Sequence, residues 1–172
     1  MKKAIENPMK KIHIAKVTLN VGSGKSEDLL KRGLKLLEIL GKPYKPVKTI
    51  TGKRIPGWGL RPGLAIGCKV TVRKNAEQLL KRLLVAKENK LSVSNFDMQG
   101  NVSFGIPEYI DIGGIEYDPE LKIMGLEVAV TLERPGYRVK RRRNKQTRVG
   151  RAQRITNEDA MAFLKHQGVE VN

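Results

Sequence analysis

Residues 42–74, KPYKPVKTITGKRIPGWGLRPGLAIGCKVTVRK, hold nine Lys or Arg and no Asp or Glu. Any fold of this chain must keep that stretch at its surface while still using its end as a strand, because residues 64–73 alternate without a break. Leu64, Ile66, Cys68, Val70 and Val72 fall on one phase, and Ala65, Gly67, Lys69, Thr71 and Arg73 on the other. The part before it, 52–63, carries Lys53, Arg54, Pro56, Gly57, Trp58, Gly59, Arg61, Pro62 and Gly63. It offers almost nothing apolar to bury and is expected to protrude. A protruding loop with several cations and one exposed aromatic ring can neutralise phosphates and lay the ring, or a guanidinium, against a nucleobase or ribose. A merely solvated loop has the same composition.

The positive charge is segregated. A second stretch, residues 134–154, RPGYRVKRRRNKQTRVGRAQR, holds ten Lys/Arg and again no acid. Together the two stretches carry 19 of the 34 basic residues, while the rest of the chain holds the other 15 against all 17 acids. The net charge of +17 is thus two cationic surfaces on a nearly neutral body, the footprint of a polyanion binder. At 172 residues and 40% hydrophobic content the chain is about one domain long and can bury a core. No window approaches the roughly 18 to 20 apolar residues of a membrane span. The start, MKKAIENPMKKIHI, lacks the apolar core and small-residue cleavage site of a secretory signal, which predicts an intracellular protein. Cys68 is the single cysteine and lies on an apolar strand phase, so a buried thiol is expected rather than a nucleophile. His13 and His166 are too few and too scattered for a metal site, and no cofactor or small-molecule substrate is implied.

Taken in order, residues 12–22 read as a strand with Ala15, Val17, Leu19 and Val21 toward a core and Lys16, Thr18, Asn20 and Gly22 away from it. Ser26 caps a helix that runs to Leu40 and stops at Gly41, with Leu29, Leu30, Gly33, Leu36, Leu37 and Leu40 as its stripe. Residues 45–51 form a second strand, placed by Pro46 at an edge or a strand start. After the strand over 64–73, Asn75 caps a helix ending near Asn89, with Gln78 at the capping-box position and Leu79, Leu80, Leu83 and Leu84 buried. Val102, Phe104 and Ile106 mark a short strand, and residues 126–132 another. The 134–154 stretch is expected to stay disordered or extended until a polyanion neutralises it. Thr156 then opens a last helix, whose Ala160, Phe163 and Leu164 dock on the core before Gly168. If the strands over 12–22 and 64–73 pack on the same helices, Lys16, Thr18, Asn20, Lys69, Thr71 and Arg73 share an open face without carboxylates, able to contact ribose and phosphate oxygens. A simply wet sheet face would look alike.

Three enzymatic or targeting readings compete with this one. GSGKS sits between strand and helix like a phosphate-binding loop, but the glycine that motif needs falls at Leu19, and no apolar run ending in Asp follows to hold magnesium. What survives is a glycine-rich turn at a helix N-terminus, able to hold one phosphate of a larger polyanion. Residues 97–133 hold eight acids against Lys122 alone, yet show no pocket for paired carboxylates. They read instead as a solvated acidic face that repels nucleic acid and is left for a basic protein partner. The 134–154 composition also suits a nuclear targeting signal. An RNA-dependent processing enzyme and a general nucleic-acid packaging protein are the alternatives in other classes.

The runs VTLNVGSG, PVKTITGKRIPGWGLRPGLAIGCKVTVR and NVSFGIPEYI, with a closing helix and GVEV, resemble the ribosomal large-subunit L-five family, which binds 5S ribosomal RNA. The resemblance covers essentially the whole chain, and the RPGYRVKRRR insertion is similar to the archaeal and eukaryotic branch. It implies an α+β fold, an antiparallel sheet with helices packed on one face, ferredoxin- or RRM-like, as a single domain over 1–172 with the protruding loop 52–63 and the basic insertion 134–154. It implies a structural constituent of the large subunit of the cytoplasmic ribosome, not an enzyme, that attaches 5S rRNA in the central protuberance. It further implies contact with P-site tRNA through the loop and an intersubunit bridge to a basic small-subunit protein. Asn20 and Thr71 match the family's RNA-contacting strand residues. Lys16, Thr18, Gly22, Lys48, Lys69 and Arg73 join them, and Arg138, Arg141, Arg142 and Arg143 reach 5S or large-subunit rRNA. Lys53, Arg54, Trp58 and Arg61 match the tRNA-facing loop, with Trp58 in place of a usual Phe. Tyr44 stands where many members have a Gln near the RNA.

Overall fold

The computed structural model describes residues 7–171. The lead over residues 1–6, on which the reading of the N-terminus partly rests, lies outside the described residues. The elements are β1 His13–Gly22, α1 Glu27–Gly41, β2 Val47–Ile50, β3 Ala65–Val72, α2 Ala76–Val85, β4 Lys90–Leu91, β5 Val102–Ile106, β6 Leu126–Glu133, α3 Asn157–His166 and β7 Glu170–Val171. Five strands form one antiparallel sheet in the order β2-β3-β1-β6-β5, and β4 pairs with β7 in parallel. The order makes β1–α1–β2 a split β-α-β unit with β3 between its strands, while β3 and β6 flank β1 in the same way across α2. This is the expected ferredoxin-like arrangement, with β5 added at one edge. Strand β2 does take the other edge, as Pro46 suggests.

Helices α1 and α2 cover one sheet face. The core runs through Val17, Leu19, Val21, Cys68, Val70 and Val72 of the central strands to Leu36, Leu37, Leu80 and Leu83 of the helices, and on to Val128, Val130, Ala160 and Leu164. In β1 the expected phase fails at Ala15. The register slips between Ile14 and Lys16, so Ala15 is the extra residue of a bulge, and Ile12 and Ile14 pack toward the core instead. Ser26 does cap α1, its Oγ accepting from Leu29 N at 3.4 Å. Leu29 itself, expected in the buried stripe, is 38% exposed. Gly41 is not the stop but the last helical residue, and it is buried. A Cβ there would lie 2.7 Å from Val70 Cγ2, and one at Gly33 would lie 3.0 Å from Cys68 Sγ. Both glycines therefore set the distance at which α1 rides on the sheet.

Two further expectations at α2 are corrected. Asn75 precedes the helix, but in the left-handed region with no side-chain cap, and Gln78 forms no capping box. Asn serves there because it tolerates positive φ. The helix ends at Val85 rather than near Asn89, since Glu88 and Asn89 themselves turn left-handed. At α3 the cap is complete: Thr156 and Asp159 form a reciprocal capping box.

The basic insertion departs most from expectation, being folded rather than disordered or extended. Tyr137 is buried at its root, donating from its hydroxyl to Gln153 O (3.1 Å) and accepting from Ile155 N (2.9 Å). Arg134, with its side chain only 10% exposed, pairs with Asp159 at 3.0 Å and donates to Arg154 O at 3.1 Å. Arg141 reaches Glu133, itself buried, at 2.6 Å. The carboxylates that offset the insertion's charge lie just outside it in sequence, which is why its composition alone reads as disorder.

Gly41→Ala should lower stability by about 1–3 kcal/mol through overpacking, read as a fall in denaturant midpoint, whereas Gly52→Ala, with open space at its Cβ, should leave the midpoint near its starting value. Burial opposes ionisation of Asp159, but its bonds with Thr156 and the Arg134 guanidinium outweigh it and hold the carboxyl below its ordinary range. Its contribution is therefore present at neutral pH and lost as pH falls through the depressed value. Asp159→Asn should flatten the acid limb of the stability profile below about pH 4, which unfolding curves at pH 3 and pH 7 would check.

Candidate nucleic-acid interface

On the face away from the helices the register brings the predicted residues together. Thr18 lies opposite Thr71, their hydroxyls 3.5 Å apart, and Asn20 lies opposite Lys69. Lys16 pairs with Thr131 of β6, and Arg73 follows directly after β3. Lys69 and Arg73 are exposed; Lys16, Thr18, Asn20 and Thr71 are half-buried. Gly22 closes β1 opposite Gly67, where a Cβ would stand 2.7 Å from Val21 O, so the two strands approach closely at that end. Lys48 does not join the face. It pairs with Cys68 and sits on the helix-side phase of the edge strand, while Val47 lies opposite Lys69.

The face is not free of carboxylates, contrary to expectation. Strand β6 sets Glu127 opposite Asn20, whose Nδ2 donates to Glu127 Oε2 at 3.0 Å. The depression beside this pair is also lined by Thr18, Ser103, Gly105 and Asn95, the last fixed by its donation to Ser103 O at 2.7 Å. Sequence reasoning misses Glu127, Thr131, Ser103 and Asn95 because alternation places a residue on a face of its own strand but does not say which strands adjoin. The alternation of β6 carries the only available signal.

The loop 52–63 is an ordered extension of the β2–β3 hairpin. Ile55 and Leu60 bond reciprocally at 3.1 and 3.0 Å, and Thr51 N donates to Leu64 O at 2.9 Å. Pro56–Trp58 form a single 3₁₀ turn closed by Gly59 at φ 59°. Leu60, which composition does not mark as a buried anchor, tucks under the tip, while Trp58 is 69% exposed and Lys53, Arg54 and Arg61 are exposed around it. The Lys25 ammonium lies against Gly59 where a side chain would begin. Its place in GSGKS invites a phosphate-loop reading, but it belongs to the cationic loop.

The turn itself is poorly suited to hold a phosphate. Ser23 N and Gly24 N both donate to Ile66 O, Ser26 N donates to Ser23 O, and Glu27 and Asp28 occupy the first turn of α1. The acidic face is likewise smaller than its composition suggests. Asp118 and Glu120 bind Lys35 at 2.8 and 2.5 Å, which raises the lysine pKa. Asp97 accepts from Gln99 N and Asn101 N, Glu127 holds Asn20 and Glu133 holds Arg141. Asp111 and Glu116 are exposed and Glu108 is half-buried.

In the insertion, Arg138 and Arg143 are exposed, but Arg141 is tied to Glu133 and Arg142 donates from Nε to Lys145 O at 2.8 Å. Tyr44, standing where an amide is expected, uses its hydroxyl to accept from Lys74 N at 3.0 Å. It is a structural brace between the approach to β2 and the end of β3. Cys68 is buried, and burial pushes its thiol up to about 11, so it is not poised as a nucleophile. Among the described residues no cluster of three or more His, Cys, Asp or Glu is placed to hold a metal, and no helix is long and apolar enough to cross a membrane.

Comparison with known proteins identifies the family. The C-terminal part of the ribosomal L5 protein family matches residues 65–163. The large ribosomal subunit protein uL5 of Nanoarchaeum equitans is 48% identical over 170 residues, 97% of this chain and 99% of the relative. That of Sulfurisphaera tokodaii is 46% identical over 92% of this chain and 90% of its own, and that of Nitrosopumilus maritimus 45% identical over 99% of both. Matched by the family over more than half its length and by these relatives over nearly all of it, the chain belongs to the ribosomal L5 protein family, the large ribosomal subunit proteins uL5.

Proposed function

We propose that this protein is a non-catalytic constituent of the large subunit of the cytoplasmic ribosome and works there as one RNA-binding unit over residues 1–172. The open face of β1 and β3 holds 5S rRNA through Lys16, Thr18, Asn20, Gly22, Lys69, Thr71 and Arg73, with Lys48 alongside at the sheet edge. The exposed loop bearing Lys53, Arg54, Trp58 and Arg61 meets P-site tRNA, with Lys25 adding charge at its base. Arg138 and Arg143, more than the internally bonded Arg141 and Arg142, meet ribosomal RNA from the insertion. Asp111 and Glu116 are left to face a basic small-subunit protein. The observation that carries this reading is the placement of the cationic side chains. A sheet face of hydroxyls and cations around the Asn20–Glu127 pair adjoins a hydrogen-bonded cationic hairpin with a solvent-exposed indole, which suits single-stranded or irregular RNA read by stacking and by backbone contact.

A titration against 5S rRNA, with an unrelated RNA of equal length as competitor, should show a preference of roughly a thousandfold or more at physiological salt. Affinity should also fall steeply as salt rises, because each neutralised phosphate releases counterions. Equal affinity for both RNAs would leave only net charge speaking and would favour a general packaging protein. Lys69→Ala combined with Thr71→Ala should weaken 5S binding. Trp58→Ala should spare it while weakening tRNA binding by about 1–3 kcal/mol, the usual worth of one stacked base. If Trp58→Ala weakened both RNAs equally, the assignment of two separate RNA surfaces would fall.

A further inference from the structure

The insertion does more than display cations. Between its two arms and the turn at 97–101 lies a half-open cavity of about 750 Å³, within the range of ligand sites. Its floor is apolar, formed by the buried Tyr137 ring, Ile155 and the half-buried Val149. Its charged lining is Lys140, Arg148 and Arg154, and among the described residues no carboxylate lines it. Its walls are held in place. Tyr137 spends its hydroxyl on Gln153 O and Ile155 N, and Arg154 Nε donates to Val149 O at 3.1 Å. Gln146 Nε2 donates to Lys140 O at 2.5 Å, and Thr147 N donates to Val139 O at 3.3 Å. On the facing side Gly100, at φ 75°, lies so close to Ile155 that a Cβ would clash with it. Asp97, the nearest acid on that turn, points its oxygens back into the turn at Gln99 N, Asn101 N and Asn101 Nδ2.

We propose that this cavity is a site for one unpaired nucleotide, the base lying against Val149 and the exposed edge of Tyr137 and the phosphate meeting Lys140, Arg148 and Arg154. Three arguments select that occupant. The lining is cationic and free of acid, so the ligand is an anion. The uncharged lining mixes apolar surface from Val149 and Tyr137 with the side chains of Gln99, Gln146 and Thr147, which suits a flat base with polar edges. A cavity of about 750 Å³ has room for one extruded nucleotide, and RNA is recognised mainly through such unstacked bases. Met98, 95% exposed at the rim, supplies a flexible thioether able to close over the base. Lys140, with Nζ 6.0 Å from the Tyr137 ring centroid, can move from the ring to a phosphate. The proposal rests on the RNA-binding reading and adds to it a definite task for the insertion: the chain captures a nucleotide there rather than merely screening backbone charge.

The test uses the full chain with 5S rRNA, with large-subunit rRNA and with AMP, each irradiated to form zero-length cross-links that are mapped by mass spectrometry. A nucleotide adduct on Met98, Tyr137 or the 146–149 peptide is expected with one of the two RNAs. Thr147→Trp, which fills the cavity and leaves every cation in place, should abolish that adduct and weaken binding of the same RNA about tenfold, within the range for loss of one stacked base. Thr147→Ser should retain both, and an unchanged circular dichroism spectrum would show that the filled variant folds. An adduct with AMP and with neither RNA would support the same site with a free nucleotide as its source. RNA binding that survives Thr147→Trp unchanged, with no adduct at these residues in the parent, would overturn the pocket while leaving the RNA-binding reading intact. If polyglutamate displaced AMP more readily than RNA did, the occupant would be an acidic peptide and the proposal would fail. Absence of binding to both RNAs by the parent protein would sink the underlying reading instead.

Discussion

Helix α1 can lie close to the sheet only because Gly33 and Gly41 present no side chain to Cys68, Val21 and Val70. That contact fixes which phase of β1 and β3 is covered. Side chains in a strand alternate with a period of two, so covering Val17, Leu19, Val21, Cys68, Val70 and Val72 necessarily turns Thr18, Asn20, Lys69 and Thr71 to the other side. A slip of one residue in either strand would bury a lysine against leucines and expose the core. The glycine contact and the polar face are therefore two consequences of one register. The bulge at Ala15 shows where the rule is relaxed. There the phase is reset so that Ile14 still reaches the core while Lys16 still joins the polar face opposite Thr131.

Concentrated positive charge is a second constraint, because an insertion with ten cations and no acid repels itself. The structure answers with anchors rather than with charge balance throughout. Tyr137 is driven into the core and satisfies its hydroxyl on the returning arm, at Gln153 O and Ile155 N, while Glu133 and Asp159 neutralise Arg141 and Arg134 at the root. The charges on Arg138 and Arg143 are left to solvent. The hairpin 52–63 is built on the same plan, with Leu60 as the anchor and the Ile55–Leu60 bonds as the brace beneath an exposed indole. Both cationic projections are thus braced by contacts within the chain, and a braced projection incurs less ordering cost on binding than a flexible basic tail.

How much of this is legible in the sequence follows from the range of each interaction. The strand phases other than at Ala15 and the Ser26 and Thr156 caps depend on residues within a few positions of one another, and they read correctly. The role of Gly41 does not, because a glycine ending a helix and a glycine packed on Val70 look identical until the sheet is assembled. Asn75 misleads for a related reason: the same residue type suits a cap and a left-handed turn. Glu127 escapes because its place on the polar face depends on β6 lying beside β1, more than a hundred residues apart in the chain. The order of the insertion escapes because its neutralising acids, Glu133 and Asp159, flank it rather than belong to it.

The carboxylate of Glu127 on a face suited to a polyanion needs its own account. A carboxylate only accepts hydrogen bonds, so Asn20 must turn its NH₂ toward Glu127, and the 3.0 Å contact fixes that orientation. The Asn20 amide oxygen is then left as an acceptor on the same sheet face as the Thr18 and Thr71 hydroxyls. Acceptors are of no use to a phosphate but match ribose hydroxyls and the amino groups of bases. A free phosphate brought to this spot would meet the Glu127 charge, whereas a nucleoside edge would meet an oriented acceptor. The Asn20–Glu127 pair thus divides the face. On the proposed reading, Lys69, Arg73 and Lys16 would supply attraction for the RNA backbone and the strip between them discrimination, at the cost of some of that attraction.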